Sequence, residues 1–219
     1  MTLTRAEFEH ACQAYLSKYH SPCSASNTVH DGELLKRYPT GWSWHEHSLV
    51  PGLGYLSRLV SISSRPADAH DSLSAENVVH EAEDEATASV SGGLLACRQY
   101  VVFSPSFQVP ALYFSMHHSS GAPLSLEEII KSTMFIQLVL PSTPRTTFAL
   151  ETPDSPFAML SQGEHPTLSI PCWYLHPCRT AEVVDEILKE VGCEDADRPL
   201  RWLEAWFMVL GNVVDFRAE

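Results

Sequence analysis

A chain of 219 residues with 44% apolar side chains can bury a sizeable core, and its length suits one domain carrying an insertion. The net charge of −13, with 14 Lys and Arg, disfavours a phosphate-backbone footprint, so nucleic acid is not an expected partner. No apolar run approaches the roughly 20 residues that span a bilayer, so no transmembrane segment is expected; the N-terminus has no basic-then-apolar leader pattern, and the expected setting is cytoplasmic.

The first element starts at Thr4. Its hydroxyl and the Glu7 carboxylate match a capping box, with Leu3 and Phe8 spaced as a hydrophobic staple. Phe8, Ala11, Cys12, Tyr15, Leu16 and Tyr19 follow three-four spacing, which predicts a helix with one buried face and makes Cys12 a core residue. Residues 21–31 are polar and turn-rich, and Trp42 and Trp44 precede a strand predicted over Tyr55–Ile62. Between 61 and 93 the composition turns to Ser, Ala, Asp and Glu. Seven acids fall between Asp68 and Glu85 with no Lys or Arg among them, which predicts a disordered acidic insertion in a hairpin connection. Its functional alternative is an acidic docking loop for a basic partner.

Leu94–Phe103 and Val109–Met116 read as a hairpin around Ser104-Pro105-Ser106. Ser125 and Glu128 match a second capping box at the start of a short helix, and Thr146–Leu150 reads as a short strand. Prolines then predict irregular chain over Ser161–Pro171. Thr180 reads as the cap of a helix whose Val184, Ile187, Leu188 and Val191 share a face, ending near Gly192. A last helix starts near Asp197 and Pro199, with Trp202, Leu203, Trp206, Phe207 and Leu210 as its apolar face. The order predicts an α+β domain over 1–219: an N-terminal helix, an antiparallel strand meander, an irregular segment and two C-terminal helices.

Six cysteines stand at 12, 23, 97, 172, 178 and 193 without a Cys-x-x-Cys pair, and reduced thiols are expected. Structural zinc needs four ligands in paired spacings, which neither Cys12, His20 and Cys23 nor His45 and His47 supply; no metal and no cofactor are expected. Cys172 and Cys193 read as packing residues. Cys178 is different. In Tyr174-Leu-His176-Pro177-Cys178-Arg179-Thr180 it sits at an extended-to-helix junction, where peptide dipoles and Arg179 favour thiolate. Pro177 stiffens the approach, and His176 either contacts the loop or exchanges a proton.

Tyr100-Val-Val-Phe-Ser-Pro-Ser-Phe-Gln-Val-Pro-Ala-Leu-Tyr-Phe114, Pro123-Leu-Ser-Leu126, Glu164-His-Pro166, Leu175-His-Pro-Cys-Arg-Thr180 and Trp202-Leu203 together resemble the autophagy-related protein 10 family. The likeness runs in order from Leu94 to Val214. It implies an E2-like conjugating fold with the family's catalytic cysteine at Cys178. It also implies a pathway: the ubiquitin-like autophagy-related protein 12 arrives from the E1-like autophagy-related protein 7 and goes to a lysine of autophagy-related protein 5. Recruitment to autophagosome-forming membranes would then be through those partners.

A Cys178 thiolate attacking an activated glycine carbonyl gives a thioester that a lysine amine can resolve. Ubiquitin-type enzymes place an asparagine just upstream of the cysteine, whereas here the asparagines are Asn27, Asn77 and Asn212. Other donors must serve the oxyanion, and Gln108, Gln162 and His165 are the candidates beside His176 and Arg179. Phe107 and Tyr113 are candidates for a partner surface. Three alternatives stay open: a sibling lipid-conjugating enzyme of the autophagy-related protein 3 type, a noncatalytic binding module, and a cysteine hydrolase using His176, His165 or His118 as base.

Overall fold

The structure, a computed structural model, describes residues 2–20, 39–64, 94–136, 149–150, 159–191 and 197–217. Residues 21–31, 65–93 and 146–148, with Cys23 and Cys193, lie outside the described residues.

Helix α1 (Arg5–His20) begins at the expected capping box: the Thr4 N–H and hydroxyl both donate to Glu7 Oε2 at 2.7 Å, and the Glu7 N–H returns to Thr4 Oγ1 at 3.2 Å. Leu3 and Phe8 are both buried beside it, and Ala11, Cys12 and Tyr15 complete the inward face. Trp44, expected before a strand, lies within one: β1 (Ser43–His45) pairs with β2 (Tyr55–Ser63). The next strands are β3 (Leu94–Ser104) and β4 (Val109–His117), joined by a tight turn. Because β2 runs through Ser63 and Ser64 bridges to Ser132, the first four residues of the expected 61–93 insertion belong to the sheet. Helix α2 (Leu126–Lys131) has the full Ser125–Glu128 capping box, and the described part of the expected Thr146–Leu150 strand is β5 (Ala149–Leu150).

The stretch expected to be irregular is a hairpin. Strands β6 (Leu160–Glu164) and β7 (Pro171–Leu175) pair in antiparallel register, Leu160 opposite Leu175 and Glu164 opposite Pro171. The prolines do not prevent this because Pro166 lies in the connecting loop and Pro171 is the first residue of its strand. The described sheet has the order β1-β2-β3-β4-β7-β6-β5, antiparallel throughout, so the α+β class stands. The late hairpin attaches through β7 to β4, with Tyr113 opposite Tyr174 and Phe114 opposite Trp173.

Helices α1, α3 (Thr180–Val191) and α4 (Arg198–Leu210) complete the domain. Trp202, Leu203, Trp206 and Phe207 of α4 are buried in the same cluster as Phe8 and Tyr15 of α1 and Leu56, Val101 and Phe114 of the sheet. On α3 the inward face is narrower than expected: Val184 is fully buried, but Val191 is 66% exposed. Buried Glu204 fastens α4 to α1, accepting from Lys18 Nζ and the Tyr19 hydroxyl, each at 2.8 Å. Arg58, 5% exposed, donates to Gln99 Oε1 at 2.8 Å, to the Thr40 carbonyl at 3.0 Å and to the Phe216 carbonyl at 3.3 Å, under the Trp42 ring at 4.8 Å. Burial lowers its pKa to about 10.

Alternation along the strands builds a second, smaller cluster on the face away from this core: Tyr55, Tyr100, Val102 and Cys172, with Tyr113 packed against them. The β6–β7 loop covers it with His165, which is fully buried and meets the rings of Tyr100 at 4.6 Å, Tyr55 at 5.1 Å and Tyr113 at 5.7 Å. His165 Nδ1 accepts the N–H groups of Thr167 and Leu168, each at 3.1 Å, so the ring carries its proton on Nε2. Burial pushes its pKa down to about 4.

Two expectations follow. Arg58→Met leaves Gln99, Thr40 and Phe216 without their donor and should cost about 2–3 kcal/mol in urea unfolding. His165 is neutral in the folded chain down to about pH 4, whereas an unfolded histidine takes its proton near its ordinary value of about 6.5. Its contribution is therefore complete above about pH 6.5 and is lost as pH falls toward 4, by up to ~1.4 kcal/mol per pH unit. Urea midpoints measured from pH 7 to 4.5 should fall more steeply for the parent chain than for His165→Asn, which keeps a turn acceptor without the titrating ring.

Candidate active site

The chain leaves β7 at Leu175 and reaches α3 at Thr180, and Cys178 lies in the intervening turn. The turn is built by its own backbone: the Thr180 N–H donates to the Pro177 carbonyl at 3.2 Å, and the Val183 N–H donates to the Arg179 carbonyl at 3.4 Å. Thr180 is thus the first helical residue rather than the cap, one position later in role than its sequence suggested. Pro177 is buried, Cys178 half-buried and Arg179 exposed.

His176 anchors the approach. Its N–H donates to the Met159 carbonyl at 2.9 Å, extending the β6–β7 ladder by one bond, and its Nδ1 accepts the Cys178 N–H at 3.3 Å. The two His-Pro dipeptides therefore fold alike, each histidine accepting through Nδ1 the N–H two residues ahead. His176 is held between Phe107, edge-on at 5.1 Å, and Tyr174 at 6.4 Å. Partial burial lowers its pKa, which favours the neutral ring that the Nδ1 acceptor role requires.

Of the residues singled out in the sequence, His176 thus holds the Cys178 N–H, Phe107 packs on His176, and Arg179 follows Cys178 in the chain. Gln108 adjoins Phe107, but its side chain is turned toward the N-terminal segment, accepting the Thr2 hydroxyl through Oε1 at 3.1 Å. Gln162 is exposed on β6 opposite Trp173, two register pairs back from the Leu160–Leu175 end. His165 is sealed in the outer-face cluster, at the far end of the same hairpin. Tyr113 is half-buried and stacked on Tyr174 at 5.2 Å and 22°, so it and Phe107 are both engaged by rings of this chain.

Sequence reasoning passed over Tyr174, which lines the approach to His176. Its ring lies against Gly163, where a Cβ would come within 2.9 Å of Tyr174 Cε1. The signal available was the glycine in a short strand, which marks a close approach.

The remaining described thiols are closed to chemistry with a partner. Cys12 and Cys97 are fully buried and Cys172 is 2% exposed. Burial raises all three: Cys12 far above the usual thiol range, Cys97 to about 12 and Cys172 to about 11.

Residues 7–218 match the family described as autophagocytosis associated protein, active-site domain. Among curated relatives, the chain is similar to the ubiquitin-like-conjugating enzyme ATG10 of Arabidopsis thaliana, 32% identical over 119 residues, which cover 54% of this chain and 48% of that protein. The Homo sapiens protein of the same name is 29% identical over 115 residues, covering 52% of this chain and 46% of its own. The one of Schizosaccharomyces pombe is 25% identical over 139 residues, covering 64% and 66%. The chain spans about half the length of the first two relatives it matches. With a family match running through nearly all of the chain, and the Tyr100–Phe114 and His-Pro-Cys segments inside it, this chain belongs to the autophagocytosis-associated active-site-domain family, among the relatives of ATG10.

Proposed function

We propose that the chain is an E2-like autophagy enzyme that accepts autophagy-related protein 12 as a thioester on Cys178 from the E1-like autophagy-related protein 7 and passes it to a lysine of autophagy-related protein 5. It would work in the cytoplasm and reach autophagosome-forming membranes through these partners. One observation carries the assignment of the site: among the described cysteines Cys178 is half-buried while Cys12, Cys97 and Cys172 are buried. It is the described thiol that a protein substrate can meet. The family and the printed names of the relatives support the reaction class.

The steps balance as two acyl transfers. The Cys178 sulfur attacks the glycine carbonyl of the incoming thioester; a new C–S bond forms, the old one breaks, and the activating enzyme's thiolate leaves. A neutral lysine amine then attacks the same carbonyl, a C–N bond forms, Cys178 leaves as thiolate, and the ammonium proton passes to solvent. Both steps pass through an oxyanion. The turn has already used the Cys178 N–H on His176 and the Thr180 N–H on Pro177. Among the described residues, the Arg179 N–H is the donor this leaves adjacent to the sulfur, in the role usually filled by the amide after a nucleophile. His176, accepting through Nδ1, holds the turn and does not take the thiol proton through that atom.

Purified chain mixed with ATP, the activating enzyme and the ubiquitin-like protein should give an adduct that thiol reductants cleave. Cys178→Ser should give one that resists them, because an oxyester replaces the thioester. A wild-type chain that takes up no adduct while a validated control enzyme is charged overturns the proposal. Charging by the lipid-directed cargo instead of autophagy-related protein 12 would move the chain to the sibling enzyme.

A further inference from the structure

The β3–β4 turn contains a residue in an unfavourable backbone region. Gln108 has φ +53, in the left-handed region that favours glycine, and its N–H closes the turn on the Ser104 carbonyl at 2.8 Å. Glycine would adopt this conformation freely. What glutamine adds is a connection to the start of the chain: Gln108 Oε1 accepts the Thr2 hydroxyl at 3.1 Å, while the Gln108 carbonyl accepts the Leu3 N–H at 2.8 Å. Leu3 is itself fixed, 3% exposed in the core ahead of the Thr4–Glu7 box. A strained residue held from outside the turn is a sign that its position matters.

Its neighbour shows what that position serves. Phe107, one residue earlier, meets His176 edge-on at 5.1 Å, and His176 Nδ1 holds the Cys178 N–H. Contacts therefore run without a break from Thr2 and Leu3 through Gln108 and Phe107 to His176 and Cys178. We propose that Gln108 is a positioning residue for Cys178: by tying the N-terminal segment to the β3–β4 turn it holds Phe107 against His176 and so fixes the turn that presents the thiol. This rests on the reading of Cys178 as the thioester-forming residue. It makes the start of α1 and the nucleophile parts of one mechanical series, so that whatever grips the N-terminal segment is felt at the sulfur. The oxyanion role considered for Gln108 is replaced by this one, since the side chain points to Thr2.

The test uses the whole chain with Gln108→Gly, Gln108→Glu and Thr2→Val. Gln108→Gly removes the side-chain tie to Thr2 and the backbone strain together, leaving the residue-108 carbonyl to accept the Leu3 N–H, so its urea midpoint should equal or exceed the parent's. Its rate of charging at saturating activating enzyme should nonetheless fall about tenfold with KM little changed, the mark of a displaced nucleophile rather than lost docking. Thr2→Val should lose rate in the same direction, and Gln108→Glu, which keeps an oxygen acceptor at the same reach, should recover it. A second readout is independent of activity. As the Phe107 ring loosens, the His176 imidazole should titrate closer to an ordinary histidine in NMR spectra of Gln108→Gly, with His165 unmoved as the internal reference. Charging at the parent rate in Gln108→Gly, with the His176 titration unmoved, overturns the proposal. If the parent chain is never charged, it is the enzymatic reading that fails, and the His176 titration alone decides the coupling.

Discussion

Two residue pairs, Tyr113 with Tyr174 and Phe114 with Trp173, join the early meander to the late hairpin, and the placement of Cys178 depends on that seam. The cysteine follows β7, whereas Phe107, which bears on His176 just before it, is carried by the β3–β4 connection. Without the seam the two have no fixed relation. A strand shift of one residue would turn Tyr174 toward the helices and Trp173 away from them, so register here is set by which side chains can be buried on each face. Trp173 is 7% exposed in the main core and Tyr174 stacks on Tyr113 outside it, and only the observed register satisfies both.

That two-sided demand explains the second aromatic cluster. A sheet covered by helices on one face normally shows polar residues on the other, yet Tyr55, Tyr100 and Tyr113 line the far face. They need a cover, and the β6–β7 loop supplies it with His165. The hairpin is thereby held at its loop end by the His165 ring among the tyrosines, while at its open end the His176 N–H on Met159 closes its two arms on each other. Thr167 adds a bond from its hydroxyl to the Leu53 carbonyl at 3.2 Å, tying the loop to the β1–β2 connection. The turn that carries Cys178 therefore extends from a hairpin that is tied to the sheet through β7 and, at its loop, through His165 and Thr167.

What could be read in the sequence was what is encoded locally. Both capping boxes appear as expected because each is satisfied within four consecutive residues, and the inward faces of α1 and α4 follow from apolar spacing alone. The Cys178 junction was legible for the same reason. The β6–β7 hairpin was not: its prolines argue against regular structure unless one knows that they fall in the loop and at a strand start, which tertiary pairing decides. The left-handed turn at Gln108 was equally hidden, because no glycine marks it and the groups that hold it come from more than a hundred residues earlier in the chain. His165 stood as a candidate donor because its stretch was expected to be irregular; burial among the tyrosines at the far end of the hairpin separates it from His176.

Arg58 has a consequence for how the chain is made. Its guanidinium is solvated by the carbonyl of Phe216, almost the last described residue, and the first helix packs along the last one. A nascent chain emerging from the ribosome would have the sheet available, and Arg58 its Thr40 and Gln99 partners, before the Phe216 carbonyl and the α4 face that covers α1 were made. The final closure therefore waits until α4 and Phe216 have been made, and contacts of such long sequence separation are slow to form. Until then the half-made domain exposes the aromatic surface of α1 and the sheet that α4 later covers, the kind of apolar surface on which incomplete chains associate.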